Sequence, residues 1–493
     1  MTSPRRTRIV ATIGPATRDP DILGALLDAG VNVCRINGSH GNPESILADI
    51  ARIRRVARNQ KRHVAILLDL QGPKVRVGNL TRPVPLESGD ALHIVLDDTF
   101  IPPGEPVSDE GADAPGSWHV GTTFPQLGHD VRPGEPVLFA DGALTGTIES
   151  VQARDGEKPG EVVVRIDIGG PLGAHKGINL PSSDLSTPAI TTKDLADLEA
   201  GIRAGIDYVA LSFVRRPEDV IQLRDELDRL GSPTVPIIAK IEKPQAVARI
   251  DELLPVVDGL MVARGDLGVE MPLSQVPVVQ KQLIDAANRA GVLVITATQM
   301  LDSMERNPRP TRAETTDVAN AILDGTDALM LSGETAVGRY PVRAVEVMDR
   351  IACEVESSSY FTPRELEDLP ALQGPLRTAI RAACHAVRET GWPLVVFSWS
   401  GQSARLASKT RPPGPIFALT PQSTVADQLA LVWGVTPVRV PVIQSTDELI
   451  DAGERVLLER GLVSRGQQVV VLAGRAPTRG ATDLVKVDTI GGG

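Results

Sequence analysis

Short apolar, β-branched runs recur along this chain, separated by amphipathic stretches of three to four helical turns, and that alternation builds parallel α/β folds. The runs are Arg8 to Gly14, Val31 to Asn37, Val64 to Leu70, Tyr208 to Val214, Pro236 to Glu242, Gly259 to Arg264, Val292 to Ala297 and Ala328 to Ser332. Helical periodicity falls near 19–29, 43–59, 191–204, 217–230, 245–255, 276–290, 311–324 and 341–356, and Pro43, Pro217 and Pro341 stand where first turns tolerate proline. Eight strands, each followed by a helix, predict a (β/α)8 barrel of the TIM type.

One interval breaks the rhythm. Between the third strand and its helix lie about a hundred residues, Pro73 to Leu172, rich in turn pairs such as Pro103-Gly104, Pro133-Gly134, Asp141-Gly142 and Pro159-Gly160. The pieces between them, Ala91 to Leu96, Pro136 to Phe139 and Glu161 to Ile168, are short and β-branched, which predicts a small all-β domain. Inserted in a βα loop, it emerges at the C-terminal face of the barrel, where active sites form, and is expected to act as a lid. After the Ser358 to Pro363 linker the alternation restarts, with strands at 393–398, 415–419, 435–442 and 467–473 and helices near 374–390, 402–410, 423–432 and 446–460. This predicts a C-terminal open α/β domain. The expected division is 1–72 and 173–357 for the barrel, 73–172 for the lid and 358–493 for the last domain.

Composition narrows the function. The 493 residues are 42% hydrophobic, enough for two to three cores, and the net charge of -11 argues against nucleic-acid or anionic-membrane partners. Three scattered cysteines, Cys34, Cys353 and Cys384, suit a reducing cytoplasm and read as small buried hydrophobes. The basic start runs at once into Ile9 to Pro15, too short for a signal segment, and no apolar run spans a bilayer, so a soluble cytoplasmic protein is expected.

Strand ends of a barrel converge on one face, so residues far apart in sequence can be assembled there. Strand two ends in Arg35, Asn37, Ser39 and His40; strand three in Asp69, Leu70, Lys74 and Arg76; strand five in Lys240 and Glu242. Strand four ends in Ser212 and Phe213, strand six in Arg264, Gly265 and Asp266, strand seven in Thr298, and strand eight in Ser332 and Glu334. Lys240 and Glu242, two apart, project from the same face of a strand. Glu242 and Asp266 on adjacent strands suit a Mg2+ or Mn2+ ion, and the backbone at Gly265 and Asp266 suits a carboxylate. Arg35, Arg76 and Lys240 supply positive charge for phosphoryl transfer, a reaction governed by positioning and electrostatics.

The motifs Thr12 to Ala16, Arg35 to Gly41, Lys176 to Pro181, Ile238 to Glu242, Ala263 to Glu270, Thr298 to Leu301, Arg309 to Glu314 and Met330 to Ala336 resemble the pyruvate kinase family along essentially the whole chain. The resemblance implies phosphoenolpyruvate and ADP as substrates and pyruvate and ATP as products. It implies that Lys240 neutralises the departing phosphoryl group and that Glu242 and Asp266 hold the metal. It also implies that Asn37, His40, Arg76 and Lys176, with Arg35, surround the nucleotide phosphates, and that Thr298, Ser332 and Glu334 lie near the proton path. A homotetramer is expected on the same grounds.

Two departures stand out. Many family members hold K+ with oxygens equivalent to those of Asn37, Ser39 and Asp69 and the carbonyl of residue 70, followed by Thr-Lys-Gly-Pro-Glu. Here the stretch reads Leu70-Gln71-Gly72-Pro73-Lys74, and a tethered ammonium at Lys74 is expected to replace the ion, as in the K+-independent subset. Gly38 stands where the family usually has a bulky apolar residue, and a looser loop is expected there. In the last domain Ser398, Ser400, Gly401, Gln402 and Ser403 form a strand-to-helix turn suited to a phosphate. The resemblance makes this turn the site of a phosphorylated allosteric activator, flanked by a shortened loop at Gly474 to Gly480. The rival readings are a Mg2+-dependent aldolase or mutase acting on phosphoenolpyruvate or pyruvate, which has no use for a lid, and a catalytically silent regulatory homologue.

Overall fold

The computed structural model describes residues 5–101, 116–152, 159–364, 374–443, 445–474 and 482–491. Eight parallel strands close a barrel, in the chain order Arg8–Thr12, Val33–Asn37, Ala65–Asp69, Tyr208–Leu211, Ile237–Ile241, Gly259–Ala263, Leu293–Ala297 and Ala328–Leu331. These are the eight expected strands, each shorter than the expected run by one to three residues at one or both ends. They are numbered below as barrel strands one to eight.

Nearly every barrel residue is buried because both faces of each strand are covered. Val10, Leu67, Ile238, Met261 and Ile295 belong to one cluster, while their neighbours Ile9, Leu68, Ile237, Val262 and Val294 pack with the surrounding helices. The helices begin as their sequences dictate. Asn42, Thr191 and Thr311 each accept a backbone N–H from the first turn, and Gly205, Gly291 and Gly325 end helices in the left-handed conformation that glycine adopts without strain. The helix expected over 245–255 is broken into Pro244–Ala248, Ile250–Leu253 and a 3-10 turn at Leu254–Val256, because Arg249 leaves helical geometry and Pro255 offers no N–H.

The insertion is an all-β unit. Its six-stranded sheet runs in the order Ile178–Asn179, Pro136–Phe139, Leu144–Gln152, Glu161–Ile168, Ala91–Val95 and Ser117–Gly121, and a separate pair joins Val84–Leu86 to Gly170–Leu172. Residues 103 and 104 of the first expected turn pair lie outside the described residues.

The C-terminal domain carries a five-stranded sheet ordered Val435–Arg439, Ile416–Thr420, Leu394–Phe397, Gln468–Gly474 and Thr482–Thr489. The last strand, antiparallel to its neighbour, was not anticipated. This domain packs against the end of the barrel opposite the catalytic face. Tyr208 donates to the Gln428 carbonyl at 2.8 Å, Arg8 donates to that of Val432 at 2.8 Å, and one apolar cluster runs from the barrel interior to Ile416 and Leu472. Cys34 and Cys384 are buried and Cys353 is half-buried, all three as free thiols. Among the described residues, no helix is long and apolar enough to cross a membrane.

Candidate active site

Lys240 and Glu242 leave barrel strand five on the same side, as their spacing requires. The Lys240 ammonium lies 2.9 Å from Glu242 Oε1, 3.3 Å from Asp69 Oδ1 and 2.7 Å from Ser212 Oγ, to which it donates. Asp69, buried at the end of strand three, also takes two bonds from Arg35, at 2.7 Å from Nε and 2.6 Å from an Nη. Arg35 is braced from the other side by Thr12 Oγ1 at 3.0 Å. Burial pushes the Asp69 carboxyl up, but Lys240 and Arg35 outweigh it and hold the group below the usual carboxylate range. Burial alone lowers the Lys240 ammonium, and Asp69 and Glu242 reverse this and raise it, so it is a fixed cation.

Glu242 differs. Its Oε2 accepts the Phe213 N–H at 2.7 Å, whereas Oε1 is buried in an ion pair, 2.9 Å from the Lys240 ammonium, with no well-aligned hydrogen bond. Burial drives its carboxyl up, Lys240 opposes that, and Asp266 pushes it further. Three carboxylates, Asp69, Glu242 and Asp266, thus share this end of the barrel with Arg35 and Lys240, and Lys74 lies within electrostatic range of two of them. Glu242 Oε1, buried without a well-aligned hydrogen bond, and Asp266 after the neighbouring strand offer the hard oxygen donors that a divalent cation takes, so the residues present fit Mg2+ or Mn2+.

Barrel strand seven ends in strain. Thr298 and Gln299 both adopt positive φ, +68° and +53°, conformations costly for non-glycine residues and worst for a β-branched one. The surroundings enforce them: Arg264 donates to the Thr298 carbonyl at 2.8 Å and pairs with Asp317 at 2.6 Å, while the Gly265 N–H donates to Thr298 Oγ1 at 2.7 Å. That hydroxyl in turn donates to the Ala297 carbonyl at 2.6 Å. Gly265 and Asp266 lie in the first turn of a short helix, Arg264–Glu270. Glu334, buried after strand eight, accepts the Ser332 N–H at 2.7 Å and the Leu301 N–H at 3.0 Å. It therefore ties the loops after strands seven and eight together, and burial raises its pKa against these donors.

Between the barrel face and the inserted domain lies a cavity of about 340 Å3 lined by Lys74, Arg76, Lys176, Phe213 and Asp266 among others. Arg76 forms an antiparallel bridge with Gly177 and donates to the His175 carbonyl at 2.8 Å. Asn37 and His40 are not part of this lining; Asn37 Oδ1 accepts the Ser39 N–H at 3.1 Å and His40 is exposed. Lys74 is exposed and reaches Ser39 Oγ at 3.5 Å, within electrostatic range of Asp266 and Glu242. Leu70 is buried, and its carbonyl accepts Ser212 Oγ at 2.7 Å.

The loop at Gly38 is tight, contrary to the expectation of looseness. A Cβ there meets the Asp69 carbonyl oxygen at 2.9 Å, and the Gly38 carbonyl accepts from Lys193 at 2.6 Å. Three contributors carry roles that the sequence reading did not assign. Ser212 links Lys240 to the Leu70 carbonyl, and Arg264 clamps Thr298. Glu270 takes Lys243 at 2.6 Å and Asn179 of the inserted domain at 2.8 Å. Ser212 and Arg264 each stand at a strand end, which was the available signal. Glu270 carried none, because its partners are distant in sequence.

At the far end of the molecule Ser398 and Ser403 are buried, Ser400 is half-buried, Gln402 is exposed, and Gly401 at φ +79° turns the chain into the helix Gln402–Ser408. Ser403 Oγ shares a hydrogen bond with Thr482 at 2.8 Å. Residues 475 to 480 of the shortened loop lie outside the described residues.

The family model "Pyruvate kinase, barrel domain" matches residues 4–345, and "Pyruvate kinase, alpha/beta domain" matches residues 377–488. The chain is 43% identical to the pyruvate kinase of Geobacillus stearothermophilus, covering 99% of this chain and 80% of that one. It is 42% identical to that of Mycobacterium intracellulare, covering 99% of both. A crystal structure of a pyruvate kinase from Cryptosporidium parvum superposes with a TM-score of 0.87 at 31% identity, covering 99% of this chain and 96% of that one. A closed barrel, an inserted all-β unit, a C-terminal α/β domain and these matches along the whole chain lead to one conclusion: it belongs to the pyruvate kinase family, whose members are phosphotransferases.

Proposed function

We propose that this protein transfers the phosphoryl group of phosphoenolpyruvate to ADP, giving pyruvate and ATP in the last step of glycolysis. The observation that carries this is the Glu242–Lys240 pair, buried at the barrel's catalytic end with Glu242 Oε1 lacking a well-aligned hydrogen bond, next to a cavity lined by Lys74, Arg76 and Lys176. Lys240 and Arg35, held in place by Asp69, face the transferring phosphoryl group, while Arg76 and Lys176 receive the nucleotide phosphates. Glu242 and Asp266 hold Mg2+ or Mn2+, which when bound neutralises charge on phosphoryl oxygens. The backbone at Gly265 and Asp266 receives the substrate carboxylate.

The enol left by phosphoryl transfer becomes pyruvate by protonation at carbon. Thr298 is suited to relay that proton, once its hydroxyl rotates away from the Ala297 carbonyl. Ser332 and Glu334 position the neighbouring loop. Closure of the inserted domain excludes water from the transfer.

Lys74 takes the part of K+, with Asn37, Ser39, Asp69 and Leu70 around it; its reach to Ser39 and its range to Glu242 support this. The Ser398 to Ser403 turn binds a phosphorylated activator, and the working unit is a cytoplasmic homotetramer. Purified protein in tetramethylammonium buffer is expected to release pyruvate from phosphoenolpyruvate only with both ADP and Mg2+, and to gain little on addition of KCl. Release without ADP points to an aldolase or mutase, and no release points to a regulatory homologue. A many-fold rise with KCl removes the role given to Lys74. Sugar phosphates and AMP, titrated against half-saturation for phosphoenolpyruvate, test the activator site, and light scattering tests the tetramer.

A further inference from the structure

On the outer face of the inserted domain two histidines stand side by side. His93 on the strand Ala91–Val95 and His119 on Ser117–Gly121 are directly in register across a parallel pair. Their rings stack with centroids 4.5 Å apart and planes 15° from parallel. The antiparallel strand Glu161–Ile168 places Glu161 diagonally across from His93, and Glu161 Oε2 lies 3.1 Å from His93 Nδ1. One potential ligand atom from each of the three residues lies within 4.8 Å of the others. The opposite face of these strands is apolar core, with Leu92, Ile94, Val120, Val162 and Val164 buried, so the backbone carrying the three side chains is held by packing.

Two imidazoles directly opposed on neighbouring strands repel if both are charged. Burial and the neighbouring His93 lower the His119 pKa, against the pull of Glu161, and favour the neutral imidazole that ligates metals. Two nitrogens and one carboxylate oxygen from three side chains form the donor set of an open zinc site, with the remaining position left to water. Ligands 2.0–2.1 Å from a tetrahedral zinc sit about 3.3 Å apart. The present separations of up to 4.8 Å therefore close by roughly 1.5 Å, a distance spanned by side-chain rotation on fixed strands. We propose that His93, His119 and Glu161 form a binding site for a borderline divalent transition-metal ion, Zn2+ or its Irving–Williams neighbours, which clamps three strands of the inserted domain. The hard ion expected at Glu242 and Asp266 prefers oxygen ligands, so the two sites select different metals.

The test uses the full chain, stripped by chelator and held in excess Mg2+ to occupy the barrel site, then titrated with Zn2+ by equilibrium dialysis. One tightly bound Zn2+ per chain is expected. His93→Ala and His119→Ala are each expected to weaken it by at least about 100-fold, beyond the loss from an outer-shell partner. Glu161→Gln weakens it less, and His129→Ala, an exposed histidine of the same domain, leaves it unchanged. The first two variants retain pyruvate formation with Mg2+, which shows that they fold. Independently of any variant, Co2+ on the unaltered chain is expected to broaden the ring-proton resonances of His93 and His119 and no others. Absence of bound Zn2+, binding unaffected by His119→Ala, or broadening at other histidines overturns the proposal.

Discussion

Lys240 is held by Asp69 and Ser212 and lies 2.9 Å from Glu242 Oε1, and these carboxylates raise its pKa against burial, so it stays a cation in the working range. Lys240→Met removes a preorganised cation from the transferring group and is expected to cut kcat by about 100- to 1,000-fold or more, with KM for ADP nearly unchanged, as read by steady-state pyruvate release. Lys74→Glu reverses a charge beside Ser39. It is expected to leave activity low in tetramethylammonium and to restore it many-fold with KCl, whereas the unaltered enzyme responds little. The pairing of Lys240 with Glu242 was legible because strand periodicity fixes it. The role of Asp69 as the shared anchor of Arg35 and Lys240 was not, since it depends on which of three carboxylates lies closest to both cations.

Element starts and stops followed local chemistry, and the helix Arg312–Asp324 shows how far that reaches. Thr311 and Glu314 form a capping box, but Glu314 also accepts Ser303 N–H at 2.7 Å and Ser303 Oγ at 2.6 Å, stitching the loop after barrel strand seven to the helix. Burial opposes its charge, and these four donors outweigh burial and lower its pKa from 4.5. A depressed carboxyl contributes stability that is present above the unfolded pKa and lost as pH falls through the folded one. Glu314→Gln is therefore expected to cost about 1 kcal/mol at pH 7, and the difference from the unaltered protein to shrink as pH drops below about 4.5. Thermal midpoints of both proteins across that range check this. The capping box joins residues three apart, a local pattern, whereas the Ser303 bonds reach back 11 residues and follow from no local pattern. Nor was the strain at Thr298 and Gln299, because nothing in their side chains asks for positive φ and only Arg264 and the neighbouring loop impose it.

Across the whole molecule, the barrel and the C-terminal domain are joined by buried charge. Asp327, at the base of barrel strand eight, pairs with Lys409 at 2.5 Å and Arg411 at 2.9 Å, all three almost fully buried, and Arg411 also lies over the Trp433 ring at 4.6 Å. Asp327→Asn leaves two cations buried without their counterion. It is expected to destabilise the protein by about 3–5 kcal/mol, read as a lowered unfolding midpoint and earlier exposure of the domain junction to protease. The sequence by itself determined eight barrel strands, an inserted β domain, a C-terminal α/β domain and a ring of chemistry at the strand ends, because periodicity and turn residues act locally and barrel symmetry gathers strand ends on one face. Tertiary structure alone decided that Glu242 Oε1 is buried against Lys240, that a Cβ at residue 38 would crowd the Asp69 carbonyl, and how charges from two domains meet at Asp327. Those outcomes depend on distances between residues far apart in the chain, which no local pattern encodes.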